Sequence, residues 1–263
     1  ATFEQKTTGQ AQSAALDAIT STFMLRRLQK DILKNLLPPR TELLLFCRPS
    51  GLQCDLYQDL TKSYYNNSSG GGSGDDALTL LTKVRKLCSH PSLLDMKSTL
   101  TTSIPCESQV DLSGKLNILS TLLQAIRKSN PTDKCVIISN FTSALTLIEQ
   151  TVLSTHNYTF LRLDGTIEQG TRQQLVDGFN RMSAEKSFAF LLSSKAGGCG
   201  LNLIGANRLI MFDPDWNPAT DAQAMARVYR QGQNKPCFIY RLFTTGTVEE
   251  VIYQRQTPKG NIA

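Results

Sequence analysis

From residue 113 onward, short apolar runs alternate with amphipathic stretches. Lys134–Ser139, Tyr158–Leu163, Phe188–Ser193, Arg208–Phe212 and Cys237–Phe243 are continuous apolar runs, as expected of strands covered on both faces. Residues 115–129, 142–154, 168–180 and 219–230 separate them with helical character, and a last helix begins near Thr247. This alternation predicts an α/β fold, an open parallel sheet with helices on both faces. Ligands of such sheets collect beyond the carboxyl ends of the strands, so the residues at those ends decide the chemistry.

The first 112 residues read differently, as helices joined by polar segments. Leu25, Leu28, Ile32 and Leu36 recur at helical spacing, Arg26, Lys30 and Lys34 give the same helix a basic stripe, and Pro38-Pro39 ends it. Glu42–Cys47 predicts a buried strand, and a helix follows over 52–65. Another helix runs from Ala77 to His90, with Leu78, Leu81, Val84 and Cys88 on one side and Pro91 as its stop. Between these helices, residues 66–76 are rich in Gly, Ser and Asn, too polar to order themselves. They predict a flexible loop, native or engineered; residues 96–112 predict a second loop. The expected division is therefore a mainly helical protruding region, 1–112, and an α/β lobe, 113–263.

Composition narrows the class only modestly. A chain of 263 residues, 40% hydrophobic and 19% charged, fits a globular protein with ample core. No apolar run approaches the roughly 18 residues of a membrane span, the N-terminus has no signal-peptide pattern, and no membrane partner is expected. The net charge of +6 leans toward a polyanionic partner. Seven scattered cysteines without a Cys-x-x-Cys pair argue for reduced thiols in cytosol or nucleus, against disulfides and zinc. Cys88 and His90, in Leu-Cys-Ser-His-Pro, read as a packed helix end, and no metal site is expected. With only His90 and His156 available, no Ser/His/Asp arrangement presents itself.

The strand ends carry the chemistry. Ser193-Ser194-Lys195-Ala-Gly197-Gly198-Cys199-Gly200-Leu-Asn202 supplies hydroxyls, a cation and three glycines in four residues. Such a turn lets backbone approach a phosphate, and equally suits an ordinary tight turn. Ser139-Asn140-Phe-Thr142 stands at a helix start, where free N–H groups attract phosphate and where Asn140 or Thr142 could equally be a plain cap. Arg162-Leu-Asp164-Gly165-Thr166, followed by Arg172, has the same character. Asp213-Pro-Asp-Trp216-Asn217-Pro218 places the single tryptophan beside a helix start, in the core or lining a site; Pro218 suits the first helical turn. Gln223, Arg227 and Arg230 then share one face if the helix continues through them, two guanidiniums suited to phosphate.

What is missing is equally specific. Ser113-Gly114-Lys115-Leu116 imitates a Walker A loop, yet Gln109 stands where its first glycine belongs and Leu116 where Ser or Thr belongs. No Asp-Glu pair occurs for a magnesium box. The chain thus has phosphate-sensing groups without a nucleotide cradle.

In order and content these motifs resemble the second RecA-like lobe of Swi/Snf-type ATP-dependent DNA translocases of helicase superfamily two. Phe23-Met-Leu-Arg-Arg, Leu37-Pro-Pro-Arg, Phe46-Cys-Arg-Pro, Leu87-Cys-Ser-His-Pro and Ile239-Tyr-Arg-Leu-Phe-Thr-Thr-Gly-Thr-Val-Glu-Glu resemble its recombination-repair branch, the Rad fifty-four type. The resemblance implies arginine fingers at Arg227 and Arg230 with Gln223 beside them, acting on ATP–Mg held mainly by a first lobe outside this chain. It implies that Gly198, Gly200 and Asn202 lie between nucleotide and DNA. Ser139, Asn140, Asp164, Gly165, Thr166, Ser193, Ser194 and Lys195 would lie near the DNA backbone, and Trp216 and Asn217 would link DNA contact to hydrolysis. Residues 17–95 resemble helices that brace duplex DNA. Cys199 and Tyr229 depart from the usual residues, without loss of a charged role. The implied partners are double-stranded DNA, the first lobe, and a recombinase filament or nucleosomes, in the nucleus. The alternative from another class is a non-catalytic DNA- or partner-binding α/β module.

Overall fold

The computed structural model of the chain describes residues 3–24, 37–68, 74–94, 109–196 and 200–260. Residues 1–37 form a unit of their own, whose helix α1 (Phe3–Thr20) is exposed nearly throughout. The expected helix with the basic stripe falls largely in 25–36, outside the described residues.

The second unit, 38–263, is built on a six-stranded parallel sheet. Its strands are β1 (Arg40–Cys47), β2 (Cys135–Ser139), β3 (Phe160–Leu163), β4 (Ala189–Ser193), β5 (Arg208–Met211) and β6 (Cys237–Thr244), in the order β1-β6-β5-β2-β4-β3. The described helices of this unit are α2 (Gly51–Ser68), α3 (Gly74–Ser89), α4 (Gly114–Ser129), α5 (Thr142–Ile148, continued by a π turn Glu149–Leu153), α6 (Gln169–Arg181), α7 (Pro218–Met225) and α8 (Val248–Gly260). Among described residues no helix is long and apolar enough to cross a membrane.

Period-two alternation divides the strands between two cores, as a sheet covered on both faces requires. Cys135, Ile137, Ala189, Leu191, Ile210 and Leu242 pack with Leu116, Leu119 and Leu123 of α4 and Leu145 and Ile148 of α5. Val136, Ile138, Phe190, Leu192, Leu209 and Ile239 pack with Val176 and Phe179 of α6 and Ala224 of α7. Every residue of β2, β4 and β5 is buried. The continuous apolar runs therefore carried two interleaved faces.

Three expectations need correction. The sheet does not begin after residue 113, because β1 pairs with β6 over Arg40–Cys47 against Cys237–Thr244. Nor is β1 a buried strand. It forms the sheet edge, with only Cys47 fully buried and Phe46 48% exposed. The polar loop is also shorter than 66–76, since α2 reaches Ser68 and α3 starts at Gly74; residues 69–73 lie outside the described residues. Of the second loop, 95–108 lies outside as well, and Val110–Leu112 is a short 3-10 helix.

Candidate nucleic-acid interface and nucleotide-facing turn

β2 lies between β4 and β5, so the carboxyl ends of these three strands open on one crevice where the connections change direction. Asp213, 3% exposed, is the hub there. Its carboxylate accepts from Ser139 Oγ, from the Asn140 N–H (2.9 Å) and from Asn140 Nδ2 (2.6 Å). On its other side Asn140 Oδ1 accepts from Ser194 Oγ at 2.5 Å, and Ser139 O accepts from the Ser194 N–H at 3.0 Å. One amide thus ties together the loops after β2, β4 and β5. The cap of α5 is neither Asn140 nor Thr142; Phe141 holds that position, its N–H bonded to Ser139 Oγ at 3.1 Å.

These bonds sort the expected DNA-contacting residues. Ser139 and Ser193 are only 1% and 3% exposed; Ser139 supports the crevice through Asp213, and Ser193 lines the floor of the cleft above it. Asp164 is buried too, accepting from Thr166 Oγ1 (2.6 Å), the Thr166 N–H (3.0 Å) and Arg162 Nε (2.9 Å). Its carboxyl is held below the usual range, first by the Thr166 hydroxyl and then, against desolvation, by the Thr166 N–H and Arg162. A carboxylate engaged in this way shapes the Asp164-Gly165-Thr166 turn and does not face a polyanion. Gly165, Thr166 and Lys195 are exposed.

Above the crevice lies an open cleft of about 530 Å³, lined by Asn140, Thr142, Gly165, Arg172, Lys195 and Lys86 among others. Arg172 is fixed by bonds to Ile167 O (2.9 Å) and Ala196 O (3.2 Å), which join the turns after β3 and β4. Basic side chains around hydroxyls and an open helix start make a site for phosphate oxygens. Lys86 was absent from the expected set because it lies before residue 113, on α3. The available signal was the basic run Lys83-Val-Arg85-Lys86 ahead of the Leu-Cys-Ser-His-Pro motif.

The arginine stretch differs from expectation in a decisive way. α7 starts as foreseen, with Asn217 capping the Ala219 N–H at 3.1 Å and Pro218 in the first turn, yet it ends at Met225. Arg227 and Arg230 lie in the turn that follows, so no single helix face carries them with Gln223. The Arg227 carbonyl accepts from the Leu203 N–H at 2.9 Å, an engagement outside the helix. The Arg227 and Val228 N–H groups reach back only three residues, and Gln233, 4% exposed, plugs the turn from below with a bond to Ala206 O at 2.7 Å. Tertiary bonds have displaced the helical ladder.

The Leu203–Arg227 bond also joins this turn to the glycine-rich loop. Gly198 lies outside the described residues; Gly200 is exposed with φ of 101°, a conformation that favours glycine. The Asn202 carbonyl accepts from Asn180 Nδ2 at 2.7 Å, and its Oδ1 is buried with no hydrogen-bond partner among the described residues. Trp216 is 36% exposed, which puts it at a rim and not in the core; Asn217 and Gln223 are exposed.

Lys115, the lysine of the Walker-like sequence, is 1% exposed. Its ammonium donates to Glu249 Oε1 (2.6 Å) and Phe212 O (2.9 Å), while Glu249 Oε2 takes the Thr244 N–H at 2.8 Å. Burial pushes the Glu249 carboxyl up, against the pull of Lys115. The lysine therefore joins α4 to α8 and cannot reach a nucleotide. His90, also buried, accepts the Ser92 N–H at Nδ1 (3.0 Å) and donates from Nε2 to Gln109 O (2.9 Å), as a packed helix end should.

A six-stranded parallel sheet with an arginine-bearing turn and a basic cleft at the strand ends matches the RecA-like lobe of SNF2-type ATPases. The helicase conserved C-terminal domain matches residues 114–232 and the SNF2-related domain residues 1–93. With these two domain matches, the chain is similar to SNF2-related proteins of the recombination-repair branch. It is 45% identical over 277 residues to the DNA repair protein rhp54 of Schizosaccharomyces pombe, covering 100% of this chain and 32% of that protein. It is 44% identical to the human DNA repair and recombination protein RAD54B (97% of this chain, 31% of that protein). Identity to RAD54 of Saccharomyces cerevisiae is also 44% (100% and 30%). The chain thus spans about a third of the length of these relatives. Among solved structures, the Sulfolobus solfataricus SWI2/SNF2 ATPase core in complex with dsDNA is similar at TM-score 0.70 and 27% identity, over 95% of this chain and 50% of that one. The C-terminal part of the Fun30 ATPase domain is similar at TM-score 0.69 and 28% identity, over 83% and 89%.

Proposed function

We propose that this chain is the C-terminal motor lobe of an ATP-dependent double-stranded-DNA translocase working in homologous-recombination repair in the nucleus. The observation that carries the reading is the 2.9 Å bond from the Leu203 N–H to the Arg227 carbonyl. It ties Leu203, in the segment that follows β4, to the turn that bears Arg227 and Arg230. Kinship with repair proteins favours a recombinase filament over nucleosomes as the protein partner.

The residues present fit half of a nucleotide site. Lys115 is buried in its pair with Glu249, so nothing here replaces a Walker lysine. Two arginines stand instead on the turn that the Leu203–Arg227 bond ties to the segment after β4. ATP with Mg, when bound on a first lobe, supplies the phosphoryl group and the chemical driving force. Arg227 and Arg230 would then set guanidiniums against the charge that develops, a contribution of about 10³–10⁵ in rate for an arginine finger. Because they enter only when two lobes close, closure gates turnover. Lys195, Arg172, Lys86 and Thr166 hold phosphates of one strand between steps. Backbone contacts carry no sequence information, which suits a motor on any duplex.

The test is Arg230→Ala in the full-length protein. DNA-stimulated ATP hydrolysis should fall by about 10³-fold or more, while duplex affinity by fluorescence anisotropy stays near wild type. Near-normal turnover would remove the finger assignment and leave a DNA-binding module.

A further inference from the structure

The loop after β5 is held from a direction that the motor motifs do not include. Arg85, on α3, donates from Nη2 to Pro214 O at 2.8 Å, and its guanidinium carbon lies 5.2 Å from the centre of the Phe141 ring. The same Pro214 carbonyl receives Asn140 Nδ2 at 3.3 Å. Arg85 therefore touches both the loop after β2, which lines the cleft, and the loop after β5, which leads through Asp215, Trp216 and Asn217 into α7 and the arginine turn. Lys86, the next residue, lines the cleft itself.

The end of α3 is a firm mount for such a bridge. Gln53 Nε2 binds Leu87 O (2.7 Å) and Cys88 O (3.2 Å), Thr244 Oγ1 binds Cys88 O (3.1 Å), and Ser113 Oγ binds Ser89 O (2.6 Å). Four carbonyl contacts from three other elements fix the last turn of α3 against the sheet. On this fixed mount the Arg85 guanidinium is held against Pro214 O and the Phe141 ring, so the loops after β2 and β5 are braced in one frame.

We infer that Arg85 is a positioning residue that couples DNA contact in the cleft to the placement of the arginine turn. The inference rests on the translocase reading above. Its role is mechanical: it touches neither DNA nor nucleotide.

The experiment measures ATP hydrolysed per base pair travelled, with the full-length protein, on duplexes carrying a displaceable third strand. This ratio is insensitive to any misfolded fraction, which neither hydrolyses nor moves. Arg85→Met, similar in length but without the bond and the charge, should raise the ratio by about threefold to tenfold, the range open to coupling residues. Arg85→Lys, which keeps a cation able to reach Pro214 O, should recover most of the loss. Lys86→Gln should weaken duplex binding and leave the ratio at the wild-type value. An unchanged ratio in Arg85→Met, or an equal rise in Lys86→Gln, would overturn the inference. A wild-type protein that displaces no third strand would instead sink the translocase reading itself.

Discussion

Two lysines, one following Ser113-Gly114 and one following Ser193-Ser194, stand in two contrasting regions. Lys115 sits in the seam where α3, α4 and α8 meet the sheet, 1% exposed and paired with Glu249. Lys195 sits on the rim of the cleft, exposed to solvent. In sequence the first imitates a Walker lysine without its first glycine and its hydroxyl, while the second stands among hydroxyls at a strand end. Dielectric surroundings separate the two in the same sense. A buried ammonium needs a fixed counter-charge and acceptors, and once it has them it is committed to the fold. An exposed one keeps its charge for a ligand at little cost to stability. The seam's charge is spent on holding the sheet unit together, and the cleft's charge stays available.

Breaking the seam should give the largest effects. Glu249→Gln leaves Lys115 buried without its counter-charge and should cost about 3–5 kcal/mol in urea unfolding. The double change Lys115→Met with Glu249→Leu should recover most of that loss; a double variant no better than the single one would mean that the charges are not the issue. Next comes Gly114→Ala. A β-carbon there would meet the Arg48 carbonyl oxygen at 1.9 Å, and forcing backbones apart should cost about 3 kcal/mol.

A pH series sharpens the contrast further. Burial holds the His90 imidazole below its ordinary value of 6.5. As pH falls, the unfolded chain takes up this proton before the folded one does. The seam's contribution is therefore complete above the ordinary value and is lost as pH drops through it. Urea midpoints should decline below that point in the wild type, and His90→Gln should remove this component of the slope.

The smallest change in stability belongs to the cleft. Lys195→Gln should alter the unfolding free energy by no more than about 0.5 kcal/mol. The same variant should lower duplex affinity and reduce the slope of log affinity against log salt by about 0.9. A stability loss as large as that of Glu249→Gln would erase the distinction between the two regions.

Much of the sheet was legible in the chain because strands buried on both faces need uninterrupted apolar runs. The strands from β2 to β6 fall within two residues of their expected limits. β1 was visible as a strand but not as an edge, because burial depends on what lies outside it. The strand-end motifs were legible in the chain, but how their side chains bond to one another was not. Ser139 and Asp164 are buried in bonds to Asp213 and to the Thr166 turn, which their residue types alone do not reveal. Lys86 went unseen because its distance from the motifs along the chain says nothing about its distance in space.

The sequence by itself determined the alternation of strand and helix, the absence of a Walker lysine setting, and the succession of phosphate-compatible groups at the strand ends. These are local properties, fixed by side-chain chemistry and spacing. Only the tertiary structure decided that Arg227 and Arg230 leave their helix. The bond that captures the Arg227 carbonyl comes from Leu203, and no periodicity within residues 219–230 could encode it. Long-range hydrogen bonds compete with the helical ladder on equal terms, so the exact posture of the most informative residues was settled by their neighbours in space.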